Sequence, residues 1–411
     1  MKIKRTLPPA AAPIGFSDIV SGLKAMMNPI EETSRFESEI KTYFGVRHCF
    51  VVSSGKASLT LILKALHKKH PSKDQVLIPA FTCYSVPAAI KKAGLKIMLC
   101  DIAPGSLDFN YEQLQEKISD PKNSILAIVP THLFGVPSNI PRVKQLAAGK
   151  DISIVEDAAQ AMGGKLDGFK LGTIGDAGFF SLGRGKAFST IDGGIILTNN
   201  DTIAENITEQ LALIQGGSKA DTIKIMVHAF ILAIFLNPRV FWFPGNLPFL
   251  KLGMTFYEPQ FSIKKMPAFQ LGLTRGWQKK LTRFNGFRIK NSKFWSYFFR
   301  KNFTNGSFQP IRLLPKTNTL SIRYPILVKD EYIKPILFKS AELGLGISAT
   351  YPDAINNITA LADTFKGETY PMAGKMAKQL ITLPVHSFVT PKDRSAIKRM
   401  LLKIFLDDQV K

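Results

Sequence analysis

Apolar runs of four to six residues alternate with amphipathic stretches along the first half of the chain. His48–Ser53 reads as a strand, and Leu59–His67 is apolar at helical spacing. The alternation continues through Val76–Pro79 (strand), Ser85–Ala93 (helix), Lys96–Asp101 (strand) and Tyr111–Ile118 (helix). Ser124–Val129 (strand), Pro141–Ala148 (helix) and Ile152–Glu156 (strand) follow. Strand runs spaced by single helices predict βαβ units, and so an α/β protein with a mostly parallel sheet covered by helices. Sites in such sheets lie outside the carboxyl ends of the strands. Gly55, Thr82, His132 and Asp157 all fall at or just after a strand end, which gathers them at one edge.

The flanking segments read differently. Residues 1–34 read as a loose arm, with a short helix at Glu37–Phe44. Residues 201–218 read as helical. Then comes an apolar insert, about residues 220–255, with Ile225–Leu236, Val240–Pro244 and Leu247–Leu252 as its runs. The first run has 12 residues, short of the about 20 that a spanning helix needs. A buried helix hairpin, a dimer contact and a membrane-dipping segment all fit it. Phe269–Arg300 reads as one long basic helix. A strand within 318–328 and a helix over 330–345 begin a smaller α/β unit. The organisation expected is an arm (1–34), a large domain (35–300) and a smaller C-terminal domain (301–411).

A chain of 411 residues, 45% apolar, suffices for a two-domain subunit with a sizeable core. Cys49, Cys83 and Cys100 have no metal-ligand spacing and form no disulfide framework, so a cytoplasmic setting is expected. The N-terminus begins basic, and Pro8 and Pro9 interrupt any signal-like apolar core. The net charge of +23 fits either a solvated basic surface or attraction to an anionic partner. That partner could be a nucleotide-linked substrate or an anionic membrane surface. No helix-turn-helix, zinc finger or aromatic-basic RNA signature accompanies the charge, which argues against nucleic acid.

The chemistry centres on Lys186. It stands in Asp176-Ala-Gly-Phe-Phe-Ser181-Leu-Gly-Arg-Gly-Lys186, ahead of Asp192-Gly-Gly194. Asp157 ends a strand 29 residues upstream and is followed by Ala-Ala-Gln160. Taken singly, such a lysine is a surface lysine and such an aspartate is a helix cap. Together, a lone lysine, a strand-end carboxylate and a hydroxyl suit pyridoxal 5'-phosphate chemistry. The lysine would hold the cofactor as a Schiff base, and the carboxylate would keep the ring nitrogen protonated. Ser53-Ser-Gly55-Lys56-Ala57-Ser58, between strand and helix, makes an anion site of free amides, or a plain turn.

Val155-Glu-Asp157-Ala-Ala-Gln160-Ala, Gly175-Asp-Ala-Gly-Phe-Phe-Ser181, Lys186 and Asp192-Gly-Gly194 resemble the DegT–StrS family of sugar aminotransferases, fold-type I pyridoxal phosphate enzymes. The likeness runs from about residue 35 to 200 and resumes weakly after 265. Lysine at 186 resembles the aminotransferases rather than a dehydratase branch that carries histidine there. The resemblance implies Lys186 and Asp157 as catalytic residues. Gln160 would serve the cofactor's phenolic oxygen, Ser181 its phosphate, and the amides of Lys56 and Ala57 beside Gly55 the phosphate as well. Tyr84, or Phe81, would cover the ring where the family often has an aromatic in place of Cys83. His132 is either a site residue or a structural histidine beneath the ring.

The resemblance also implies a homodimer, an amino-acid donor (glutamate or glutamine) and a nucleotide-linked keto-sugar acceptor in polysaccharide or glycoconjugate synthesis. One stretch departs from it. Relatives carry a Gly-Tyr-Asn…Arg motif that reaches the partner subunit's cofactor phosphate. Here Glu258-Pro-Gln-Phe-Ser-Ile-Lys-Lys265 stands instead, so either Lys264 or Lys265 substitutes for the arginine or the dimer completes its site differently. Two other functions stay open: a lipid-linked or membrane-associated acceptor, and a non-catalytic scaffold that keeps the fold.

Overall fold

A computed structural model describes residues 4–245, 247, 255–303 and 306–409. Part of the apolar insert, including most of Leu247–Leu252, lies outside them.

Among the described residues, thirteen strands form three sheets. In chain order they are β1 (His48–Val52), β2 (Gln75–Pro79), β3 (Lys96–Cys100), β4 (Ile125–Ile128), β5 (Ser153–Asp157), β6 (Lys165–Leu166) and β7 (Phe169–Lys170). Then come β8 (Ala177–Ser181), β9 (Gly194–Thr198), β10 (Phe308–Pro310), β11 (Thr317–Asn318), β12 (Tyr324–Val328) and β13 (Leu380–Leu383). Seven make the main sheet, in the order β1-β9-β8-β5-β4-β2-β3. The β2–β3, β2–β4, β4–β5 and β5–β8 pairs are parallel. Only β9 runs against its neighbours β8 and β1. The sheet is therefore mostly parallel, as the alternating pattern implies. β9 is reversed because the loop that carries Lys186, residues 182–193, holds no helix and returns the chain directly beside β8.

β4 and β9 are buried at every position, as a sheet covered on both faces demands. The Gly55–Lys69 helix packs across the ends of β8 and β9. Two glycines permit this approach. A Cβ on Gly194 would stand 2.2 Å from the Ser54 carbonyl oxygen, and one on Gly55 would stand 2.9 Å from Ser181 Cβ.

A smaller unit forms an antiparallel sheet, β10-β12-β13, packed against helices Asp330–Leu343 and Pro391–Gln409. The expected 269–300 helix is two helices, Ala268–Leu273 and Trp277–Asn302. Gly276, at φ 67°, breaks them, because that backbone region ends a helix and favours glycine. The longer helix joins the two cores. Trp277 and Leu281 pack with the large sheet, and Trp295, Phe298 and Phe299 with the small one.

The N-terminal segment, expected as a loose arm, is ordered. Phe16–Ala25 is a helix, and the next runs Pro29–Phe44, well before Glu37. Leu7, Ala11, Ala12 and Ile14 are buried. Arg5 pairs with Asp393 at 2.9 Å, and His386 Nε2–H donates to the Pro8 carbonyl at 2.8 Å. Helical apolar spacing at Ile19, Gly22 and Ala25 was there to be read, but short and next to prolines.

Among the described residues the apolar insert forms the helix Lys219–Phe235 and a short helix Trp242–Gly245. The first is not buried. Ile223, Val227, Phe230, Ile231 and Ile234 are all exposed, and Ala229 alone is fully buried. Among the described residues no helix is long and apolar enough to cross a membrane.

Candidate active site

β5 ends with two carboxylates that point to opposite faces, because side chains alternate along a strand. Asp157 faces a cavity of about 150 Å³. Glu156 faces away and is fully buried. The cavity brings together Gly55, Lys56, Asp157, Gln160, Ser181 and Lys186, six residues the sequence singled out. Cys83 and Asp192 line it as well.

Asp157 is buried, with Oδ1 accepting from the Ala159 N–H at 3.0 Å. Among the described residues its other oxygen takes no hydrogen bond. Burial raises its pKa, and the Ala159 hydrogen bond and the charge of Lys186 only partly offset this. A carboxylate so placed calls for a cationic N–H. Lys186 follows the Ser181–Gly185 loop and lines the cavity. Desolvation lowers its pKa, which favours the neutral, nucleophilic amine. Its main chain is pinned from behind. Fully buried Arg288 donates to the carbonyls of Lys186 and Ala187, at 2.8 Å each.

The opposite wall is the start of the Gly55–Lys69 helix. Ser54 caps it, its Oγ accepting from the Ala57 N–H at 3.1 Å. That commits Ala57, so the amide pair shifts from the expected Lys56 and Ala57 to Gly55 and Lys56. Neither of these has an acceptor among the described residues. With Ser181 Oγ alongside, the free amides and the helix dipole form an anion cradle. The Lys56 side chain turns outward, to Glu258 at 3.1 Å and over the Phe261 ring.

Gln160 is held from two sides. Its Oε1 accepts from the Phe134 N–H at 3.1 Å, and its Nε2–H donates to Tyr351 Oη at 3.0 Å. Like Ala57, the candidates Tyr84 and His132 do not line the cavity. Tyr84 is buried, and its hydroxyl bonds the Asp353 backbone at 3.0 Å. Cys83 occupies the wall instead. His132 is fully buried: Nδ1 accepts from the Ser138 N–H at 3.0 Å, and Nε2–H donates to Glu156 at 3.0 Å. Both ring nitrogens are thereby committed to the scaffold.

The residues fit pyridoxal 5'-phosphate: an unpaired buried carboxylate for a protonated ring nitrogen, a desolvated lysine for its aldehyde, and free amides for its phosphate. Residues 22–240, more than half the chain, match the DegT/DnrJ/EryC1/StrS aminotransferase family. The chain belongs to that family. Among curated relatives, GDP-4-keto-6-deoxy-D-mannose 3-dehydratase of Yersinia pseudotuberculosis is 30% identical over 177 residues, 42% of this chain and 44% of the relative. GDP-perosamine synthase of Vibrio cholerae is 29% identical over 171 residues, 42% and 45% of the two chains. The matched region thus spans about half the length of these relatives.

The fold extends further than the sequence match. Helicobacter pylori PseC, an aminotransferase involved in the biosynthesis of pseudoaminic acid, superposes with a TM-score of 0.78 at 17% identity, over 98% of this chain and all of that one. The Escherichia coli GDP-4-keto-6-deoxy-D-mannose-3-dehydratase gives 0.74 at 19%, over 98% of this chain and all of that one. The architecture is that of fold-type I pyridoxal phosphate enzymes.

Several residues of this family member's site had no role assigned from sequence. Asp192, within a quoted motif, faces the cavity and accepts from the Gly193 N–H at 2.9 Å. Tyr351, which holds Gln160, is another. Arg323 and Thr350 border Lys186 from far along the chain. Their only signal was polarity within apolar runs, which many surface residues share. Lys264, a proposed substitute for the missing arginine, instead pairs with Asp221 at 2.6 Å.

Proposed function

We propose that this protein is a pyridoxal phosphate-dependent aminotransferase. It moves an amino group from an amino acid, glutamate by resemblance, to a keto-sugar carried on a nucleotide, in polysaccharide or glycoconjugate synthesis. The observation that carries this reading is the meeting of Lys186, Asp157 and the free Gly55 and Lys56 amides in one cavity. Pyridoxal phosphate, when bound, supplies the carbonyl and the electron-withdrawing ring. The chain does the rest. Asp157 holds the proton on the ring nitrogen. Lys186, released as a neutral amine, takes a proton from the donor's α-carbon and later delivers one to the acceptor carbon. Gln160, fixed by Phe134 and Tyr351, orients the ring through its phenolic oxygen.

Beside the cavity opens a cleft of about 910 Å³, bordered by Lys56, Arg184, Lys224, His228, Lys264 and Lys265. Among the described residues, Arg184, Lys224 and Lys265 have no carboxylate partner. That excess of cations suits the diphosphate of a nucleotide sugar. The names of GDP-sugar relatives support the same class. The three free cysteines suit a reducing, cytoplasmic setting.

We place the working unit as a homodimer, with a second copy covering the apolar side of the Lys219–Phe235 helix. A second reading, a lipid-linked acceptor with peripheral membrane contact, draws on the same exposed residues and on the net charge of +23. Flotation with anionic liposomes separates the two, since a dimer contact gives none. For the main reading, absorbance is recorded before and after glutamate. A visible-edge band that depends on Lys186 and shifts with glutamate is expected. No band in the presence of pyridoxal phosphate, or full activity in Lys186→Ala, sinks it.

A further inference from the structure

A second recess, of similar size to the first, opens on the other side of Lys186. It holds about 170 Å³ and is bordered by Gln160, Arg184, Lys186, Arg323, Thr350 and Tyr351. Two of these have unmet bonding capacity. Arg323 immediately precedes β12. Its Nη1 donates to Ser348 Oγ at 3.2 Å, and among the described residues no carboxylate pairs with it. Burial lowers its pKa, with only Tyr351 opposing. Among the described residues Thr350 Oγ1 is buried without a hydrogen-bond partner.

A desolvated cation without a counter-ion is costly, and so is an orphaned hydroxyl. Both costs fall if an anion binds between them. A guanidinium offers a planar pair of N–H donors that matches a carboxylate, and the hydroxyl adds a third bond. The recess is too small for a nucleoside diphosphate, which has the large basic cleft beyond Arg184. It does suit a small amino acid. Because it opens onto Lys186, an amino acid gripped there by a carboxylate has its amino group directed at the reacting centre.

We propose that Arg323 and Thr350 bind a carboxylate of the amino-acid donor, in a subsite separate from the nucleotide cleft. This assignment rests on the aminotransferase reading. It divides the substrates by charge type: the carboxylate goes to Arg323, and the diphosphate to Arg184, Lys224 and Lys265.

The test is calorimetric binding of two unreactive probes to the protein loaded with pyridoxal phosphate. Glutarate, a dicarboxylate without an amino group, stands for the donor. GDP stands for the acceptor's diphosphate. Arg323→Gln should weaken glutarate about 10- to 100-fold, the range for a lost charge-assisted contact, and leave GDP unchanged. Arg323→Lys should recover part of the loss, since a point charge replaces the fork. Thr350→Val should weaken glutarate about 3- to 10-fold. Loss of an unpaired cation should leave the thermal midpoint of Arg323→Gln unchanged or higher. Unchanged glutarate binding overturns the proposal, as does GDP weakening in step with glutarate, which marks a phosphate site. A large fall in midpoint also overturns it, because Arg323 is then structural. If the wild type forms no Lys186-dependent band, the aminotransferase reading fails separately, and the glutarate comparison still reads out the subsite.

Discussion

Glu156→Gln is the most exacting test of how the site is held, because it removes one charge and almost no volume. Four donors converge on the Glu156 carboxylate. Oε1 accepts from the backbone N–H groups of Ile174 and of Gly175, the latter at 2.7 Å. Oε2 accepts from Gly172 N–H at 2.8 Å and from His132 Nε2 at 3.0 Å. The His132 proton must sit on Nε2, because Nδ1 already accepts from Ser138. A glutamine offers one oxygen and one NH₂. Whichever way the amide turns, its NH₂ faces two donors and clashes with both.

The side chain is fully buried, so no water relieves the clash. Two bonds to a charged acceptor are lost, at about 1.5–3 kcal/mol each, which sets the cost at about 3–6 kcal/mol. Spread over the unfolding entropy of 411 residues, this lowers the thermal midpoint by about 4–7 °C. Circular dichroism melting measures it. Asp157→Asn, one residue on and facing the cavity, is the control. Its carboxylate is destabilised by burial, so the apo-protein midpoint should hold or rise while cofactor binding collapses. A Glu156→Gln cost below about 1 kcal/mol, ordinary for a surface change, would refute the four-donor account.

Further outcomes follow from the same geometry. Gly55→Ala drives a Cβ to 2.9 Å from Ser181 Cβ; it should cost about 1–3 kcal/mol and weaken pyridoxal phosphate binding, measured by cofactor titration. Lys186 has a folded pKa below its unfolded 10.5, so the unfolded chain binds more protons between the two values. Apo-protein stability should therefore rise with pH through that window, and Lys186→Met should flatten the rise in melts across pH. Arg288, lowered by burial only to about 10, stays charged at neutral pH. Arg288→Met should slow formation of the Lys186-dependent band, because the carbonyls of Lys186 and Ala187 lose their donor. Val227→Asp with Ile231→Asp should shift sedimentation from dimer to monomer and leave far-ultraviolet dichroism intact.

What the sequence made legible was local. Each strand from Val76 to Asp157 announced itself as an apolar run between amphipathic helices, and strand polarity then placed Gly55 and Asp157 at one edge. Lys186, Ser181 and Gln160 came with their motifs. The illegible part depends on contacts that no local period encodes. Glu156 looked like one more strand residue. Only the return of residues 172–175 beneath β5 makes it the anchor of a loop. Arg288 lay in a helix whose basic composition suggested a solvated face, yet its guanidinium is buried. The Phe16–Ala25 helix needed the packing of Ala268–Leu273, where Gly22 and Phe269 meet closely, to become more than a short apolar stretch.

These cases share a cause, and it explains why the site is more than its motif. A strand end can supply two neighbouring carboxylates with opposite fates only because alternation sends one into the cavity and the other into the scaffold. Asp157 remains short of partners, which leaves it free for a ligand. Glu156 is saturated with partners, which fixes β5 and the loop before β8, the strand that ends at Ser181 and feeds Lys186. Arg288 and Arg323 repeat the division. The first is spent on the carbonyls behind the lysine, and the second meets only a serine in front of it. Asp157, Arg323 and Thr350, each short of partners, border the two recesses around Lys186, and Glu156 and the Arg288 contacts hold the backbone behind them.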